Sequence, residues 1–145
     1  MVRMLGIDYG ERRIGLAISD MLGILASPLE TIISQGVRNN VDYIADIVQT
    51  KSIETVVIGL PLNMDGSEGK RVKSTKFFGS VLQKVLNIPV VYSDERLTTF
   101  EANQKLKEAG VSLDKREKII DQVAAQIILQ EYLDSALQQN KNQTL

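Results

Sequence analysis

Apolar residues recur along this chain in two rhythms. The opening segment carries two short apolar runs, Met4-Leu5-Gly6-Ile7 and Ile14-Gly15-Leu16-Ala17-Ile18, on either side of Gly10-Glu11-Arg12-Arg13. Runs of this length across a tight turn predict a β-hairpin. Leu25 to Ile33 reads as a third strand, broken by Ser27-Pro28, which suits a sheet edge. Three consecutive strands with short connections imply an antiparallel meander. The spacing then changes: Val37, Val41, Ile44, Ala45 and Val48 recur at helical intervals and predict a helix over Arg38 to Thr50. Thr55 to Leu60 is continuous and β-branched, as expected of a strand buried on both faces and ended by Pro61.

Residues 62–69 read as a polar loop with a turn at Asp65-Gly66. A helix over Lys70 to Leu86 follows, with Phe77, Phe78, Val81, Leu82, Val85 and Leu86 expected on its inner face. Val90 to Ser93 is a short strand entered through Pro89. Thr98-Thr99-Phe100-Glu101 fits a capping box opening a helix that stops near Gly110. The last and longest helix is expected over Arg116 to Gln138, with a flexible tail from Gln139 to Leu145. No repeat or linker divides the chain, so residues 1–138 are expected to form one domain. Right-handed crossovers place the later strands parallel to the first. The result is an α/β fold with a mixed five-stranded sheet, a three-strand antiparallel meander plus two parallel strands, and helices on both faces. This order resembles the ribonuclease H-like fold.

Composition narrows the chemistry. The 145 residues include no cysteine and no histidine, which excludes disulfides, thiol catalysis and Ser-His-Asp chemistry and disfavours zinc. Catalysis must rest on carboxylates, hydroxyls, amines or hard metal ions. Seventeen basic residues against eighteen acidic ones create no global field to draw in nucleic acid. No basic segment leads into a long apolar run, so a soluble, cytoplasmic protein with no membrane partner is expected.

Three acidic positions carry the candidate chemistry. Asp8 ends the first strand on the face of Met4 and Gly6, a costly place for an anion without a cation or donors. Asp94 and Glu95 end the last strand and point to opposite faces, so one of them faces a site at the strand ends. Asp121 shares a helix face with Ala124, Ala125 and Ile128, whose small alanines permit close approach to a sheet; it also complements a helix dipole. Ligands of such sheets sit at the carboxyl ends of parallel strands. Three carboxylates converging there repel one another unless Arg12, Arg13, Arg96 or Lys118 relieves them, or a hard cation such as Mg2+ or Mn2+ does.

Leu5-Gly6-Ile7-Asp8-Tyr9-Gly10 with Arg12 and Ile14-Gly15 forms the first of four matching stretches. The others are Val57 to Gly66, Asp94-Glu95-Arg96-Leu97-Thr98-Thr99, and Asp121 with Ala124-Ala125. Together they resemble the bacterial pre-16S ribosomal RNA nuclease family, also called Holliday-junction-resolvase-like or YqgF-type, to about Asp134. The resemblance implies a ribonuclease H-like fold, metal-dependent nuclease activity, and trimming of the 5′ end of the small-subunit RNA precursor. It implies Asp8, Glu95 and Asp121 as catalytic acids and as ligands of Mg2+ or Mn2+. A nucleic-acid partner is then expected, ribosomal RNA precursor or branched DNA, bound by a monomer or weak homodimer.

Lys70, Arg71, Lys73 and Lys76 form a basic cluster with no acid among them, beside the loop carrying Asn63. Such a run is either a solvated helix face or a set of phosphate contacts. Arg12, Asn63, Lys70, Arg71, Lys73 and Arg96 are the candidate nucleic-acid contacts. Gly69-Lys70 is not a P-loop, because Met64 and Arg71 stand where that motif needs glycine and a hydroxyl residue. Three other functions remain open: a Holliday junction resolvase, a non-catalytic RNA-binding assembly factor, and an ATPase suggested by the Asp-x-Gly turn.

Overall fold

The computed structural model describes residues 3–95 and 98–143. Five strands form one sheet in the order β3-β2-β1-β4-β5: β1 (Arg3–Tyr9), β2 (Arg13–Ser19), β3 (Ala26–Ile33), β4 (Ile53–Leu60) and β5 (Val90–Asp94). β1, β2 and β3 pair antiparallel, and β4 and β5 run parallel to β1. The meander and the two parallel strands are those expected from the apolar runs. Pro28 sits in the edge strand, beside a register irregularity where Leu16 pairs with Glu30 and Ala17 with Pro28. Proline is tolerated there because the outer side of an edge strand needs no ladder donor.

Four helices cover both faces: α1 (Val37–Thr50), α2 (Lys70–Val85), α3 (Thr98–Glu108) and α4 (Leu113–Gln143). Odd positions of β1, Leu5 and Ile7 with Tyr9, pack with Val41, Ile44 and Phe78 of α1 and α2. The Tyr9 and Phe78 rings stack at 4.3 Å and tie α2 to β1. On the other face, Val57 and Ala17 pack against Ala125, Ile128, Leu129 and Leu133 of α4. Alternation along β1 therefore turns Asp8 toward α4.

Two expectations change. Phe77 and Val85 are exposed, while α2 buries Val72, Thr75, Phe78, Gly79 and Leu82. The stack on Tyr9 fixes which stripe faces the sheet, and the Tyr92 ring fills the space beside Gly79, which turns Phe77 outward. α4 also begins at Leu113 rather than Arg116 and stays helical through Gln143, past the expected start of the tail. α3 opens at Thr98, where the capping box was expected, whereas Arg96 lies outside the described residues.

Candidate active site

The carboxyl ends of β1, β4 and β5 point the same way, and the candidate acids gather there. Asp8 is the next-to-last residue of β1 and is buried. Glu95 directly follows β5, is equally buried, and its backbone N–H donates to the Leu60 carbonyl at 3.1 Å, which fixes it against the end of β4. Gly59 keeps that space open: a Cβ there would stand 2.9 Å from Cγ of Glu95. Glu95 thus takes the inward position of the Asp94-Glu95 pair, on the face of Val91.

Asp121 reaches the site through a backbone contact. Asp8 and Gly15 are cross-strand partners. A Cβ on Gly15 would overlap the carbonyl of Asp121, so only glycine lets α4 settle onto β2 at this point. Ala124, Ala125 and Ile128 line the same buried stripe.

Electrostatics tie the three acids together. Burial, then the Asp121 charge, raise Asp8 to about 6, against a lowering by Arg71. Burial and the Asp8 charge push Glu95 up to about 8, and Arg71 again opposes. Burial raises Asp121 too, offset by the Arg13 guanidinium. Arg13 Nε lies 2.9 Å from Asp121 Oδ2, an ion pair whose N–H is not aimed at the oxygen, so Oδ2 is buried without a hydrogen bond among the described residues. Arg13 was one of four cations expected to relieve the acids. The influence of Arg71 on Asp8 and Glu95 was not expected; its position one residue into a helix that follows the β4 loop is the signal that could have shown it.

Two acid pairs, Asp8 with Glu95 and Asp8 with Asp121, are therefore close enough to interact, although among the described residues no three acids stand together in a geometry that holds an ion. Asp121 Oδ2 is paired with Arg13 instead. In chemistry the set still fits a divalent cation: all ligands are oxygens, two are buried and mutually repelling, and one buried oxygen lacks a donor. Hard ions such as Mg2+ or Mn2+ suit that donor set.

The candidate nucleic-acid contacts divide into groups. Lys70, Arg71 and Lys73 are exposed at the start of α2, whose first turn holds no acid. Lys76 instead forms an ion pair with Glu68 of the preceding loop. Asn63 is exposed, but its side-chain amide donates to Ser67 Oγ at 3.0 Å and braces the loop. Arg12 is exposed in the β1–β2 turn, away from any ion pair among the described residues.

This sheet order with acids at its carboxyl ends defines a ribonuclease H-like domain, and known proteins agree. A family model described as RuvX, Holliday junction resolvase, matches residues 2–135. A protein of Syntrophus aciditrophicus named "Putative pre-16S rRNA nuclease" is 46% identical over 138 residues, covering 95% of this chain and 92% of its own length. One of the same name from Halothermothrix orenii is 47% identical over 133 residues, covering 92% of this chain and 95% of its own. Among solved structures, T. thermophilus RuvC in complex with Holliday junction substrate superposes with a TM-score of 0.59 at 14% identity, over 94% of this chain and 96% of that one. At that identity the likeness is one of fold. The chain belongs to the RuvX family of resolvase-like, pre-16S ribosomal RNA nuclease proteins.

Proposed function

We propose that this chain is a divalent-metal-dependent nuclease that hydrolyses phosphodiester bonds in the precursor of small-subunit ribosomal RNA, in the cytoplasm. The observation that carries this reading is the buried pair Asp8 and Glu95 at the ends of β1 and β5, on either side of β4, both with raised pKa values and the Asp8 charge contributing to that of Glu95. Structural residues are seldom left in that state, because a buried carboxylate pair costs stability unless something binds it.

Asp8, Glu95 and Asp121 would hold the cation, magnesium or manganese. Such an ion supplies positive charge at the phosphoryl oxygens and makes water acidic enough to attack at neutral pH. Asp8 contributes a carboxylate fixed by β1 in a site closed to bulk water on the α4 side. Glu95, pushed up to about 8 by burial and the Asp8 charge, is an acid whose charged form a bound cation would stabilise. Arg71 moderates the charge of both acids and, with Lys70 and Lys73, presents cations to the backbone phosphates flanking the cleaved bond. Arg12 and Arg96 are further phosphate contacts in this reading, and Asn63 braces the loop that leads into α2.

A second reading, cleavage of branched DNA, is favoured by the description of the matching family model. It requires a two-fold dimer presenting two sites to paired strands, whereas trimming RNA needs one site on a monomer or weak homodimer. The deciding experiment offers a labelled ribosomal RNA precursor and a four-way DNA junction side by side, in Mg2+ and in chelator. Metal-dependent cleavage of the RNA alone is expected. Symmetric cutting of the junction alone overturns the RNA assignment, and cleavage that persists in chelator overturns the metal.

A further inference from the structure

Among the described residues, Asp121 is the one acid of the three engaged in an ion pair. Its partner holds it loosely. Arg13 approaches Oδ2 with a single nitrogen rather than a two-pronged fork, and its Nη1 donates to the Glu117 carbonyl at a long 3.3 Å. The Arg13 side chain keeps 49% of its surface in solvent, against 19% for Asp121. A cation this exposed can be exchanged for another at small cost.

The main chain of Asp121 cannot shift to meet Asp8, because it is seated directly on Gly15. Only its short side chain can turn. Held by Arg13, the Asp121 carboxylate is near enough to raise the pKa of Asp8, yet among the described residues the acids do not form a set of three that could hold an ion. The guanidinium has somewhere to go: a recess of about 550 Å3 opens beside it, lined by Thr31, Ile33, Asp114, Glu117 and Lys118. Asp114 and Glu117 offer it new acceptors there.

We propose that Arg13 is a latch on the metal site, holding Asp121 aside in the ion-free protein and yielding it when a divalent cation binds. This rests on the metal-dependent reading above. Arg13 is then a positioning residue: it acts through Asp121 and competes with the ion for one carboxylate. The affinity for metal is lower with the latch than without it.

Calorimetric titration of the full chain with Mn2+, without nucleic acid, tests this. Arg13→Gln should tighten Mn2+ binding about fivefold or more, the scale of ordinary coupling between sites. Arg13→Lys, which keeps a charge within reach, should return the affinity toward that of the parent. Lys118→Gln removes the same charge from the same recess without an ion pair to Asp121, and should leave the affinity unchanged. Melting curves in chelator establish that each variant is folded. Parent-like or weaker Mn2+ binding by folded Arg13→Gln overturns the latch while leaving the metal site standing. Equal tightening by Lys118→Gln also overturns it, since the effect is then a general field. Failure of the parent to bind Mn2+ at all overturns both the metal reading and the latch.

Discussion

Gly15 and Asp121 meet backbone to backbone, with the Asp121 carbonyl occupying the space a Cβ on Gly15 would need. Because Gly15 is also the cross-strand partner of Asp8, one glycine sets the distance between two of the three acids. Gly15→Ala must push α4 off the sheet. Overpacking of this kind costs about 1–3 kcal/mol, and more where backbone is struck. The expected outcome in urea unfolding is a loss at the upper end of that range, with cleavage activity falling further than stability explains. A variant of parental stability and activity would show that α4 does not need this seat.

Stability of the ion-free protein should depend on pH in a specified direction. Asp8 and Glu95 have folded-state pKa values of about 6 and about 8, both above their unfolded values. Between the unfolded and folded values the native state binds more protons, so stability falls as pH rises from about 4 to about 8. One pKa unit corresponds to about 1.4 kcal/mol. Melting temperatures in chelator should therefore drop as pH rises from about 6 to about 8, and Glu95→Gln should flatten the drop. Mg2+ should raise the parent's melting temperature at the upper pH by mass action and raise that of Glu95→Gln far less. A flat profile in the parent would remove the electrostatic argument for the site.

Repulsion among three carboxylates would by itself make Asp121→Asn a relieving variant. The ion pair with Arg13 changes that choice. Asp121→Asn gives up a favourable contact as well as an unfavourable one, so in chelator its melting temperature should lie at or below the parent's. Glu95→Gln should lie above it at pH 8. The reverse order in paired melting curves would mean that Arg13 does not hold Asp121 in solution.

The basic start of α2 divides into contacts and a brace. Replacing Arg71 and Lys73 with glutamine should weaken nucleic-acid binding for all sequences alike and lower the salt slope by about one unit per lost phosphate contact. Lys76→Gln should change the slope less, because Lys76 already pairs with Glu68. Equal effects from all three positions would assign the whole run to one diffuse field.

Period and composition made the fold legible. The shift from short β-branched runs to helical spacing marked each element, and Pro28 marked the edge. Alternation on a strand said which layer Asp8 faces, but it left Asp94 and Glu95 open, and only the family resemblance pointed to Glu95. The face of α2 was misjudged at Phe77 and Val85, since apolar spacing cannot tell which of two adjacent stripes finds a partner; the Tyr9–Phe78 stack decides it. The seat of Asp121 was hidden for a similar reason. Gly15 in a strand interior hints at a close approach, but what approaches is set by a helix more than a hundred residues later. The reach of Arg71 to both acids likewise depends on how the loop after β4 delivers α2.

The central claim is that buried Asp8 and Glu95 serve a metal-dependent cleavage. Its most direct test is single-turnover cleavage of a labelled ribosomal RNA precursor by the parent, Asp8→Asn and Glu95→Gln, each with Mg2+ and with chelator, alongside a binding measurement on the same RNA. The account predicts cleavage by the parent in Mg2+ only, and a loss of at least about a hundredfold in both variants, as for removal of a principal electrostatic group, with RNA affinity retained. Parental cleavage rates in a folded Asp8→Asn protein would contradict it.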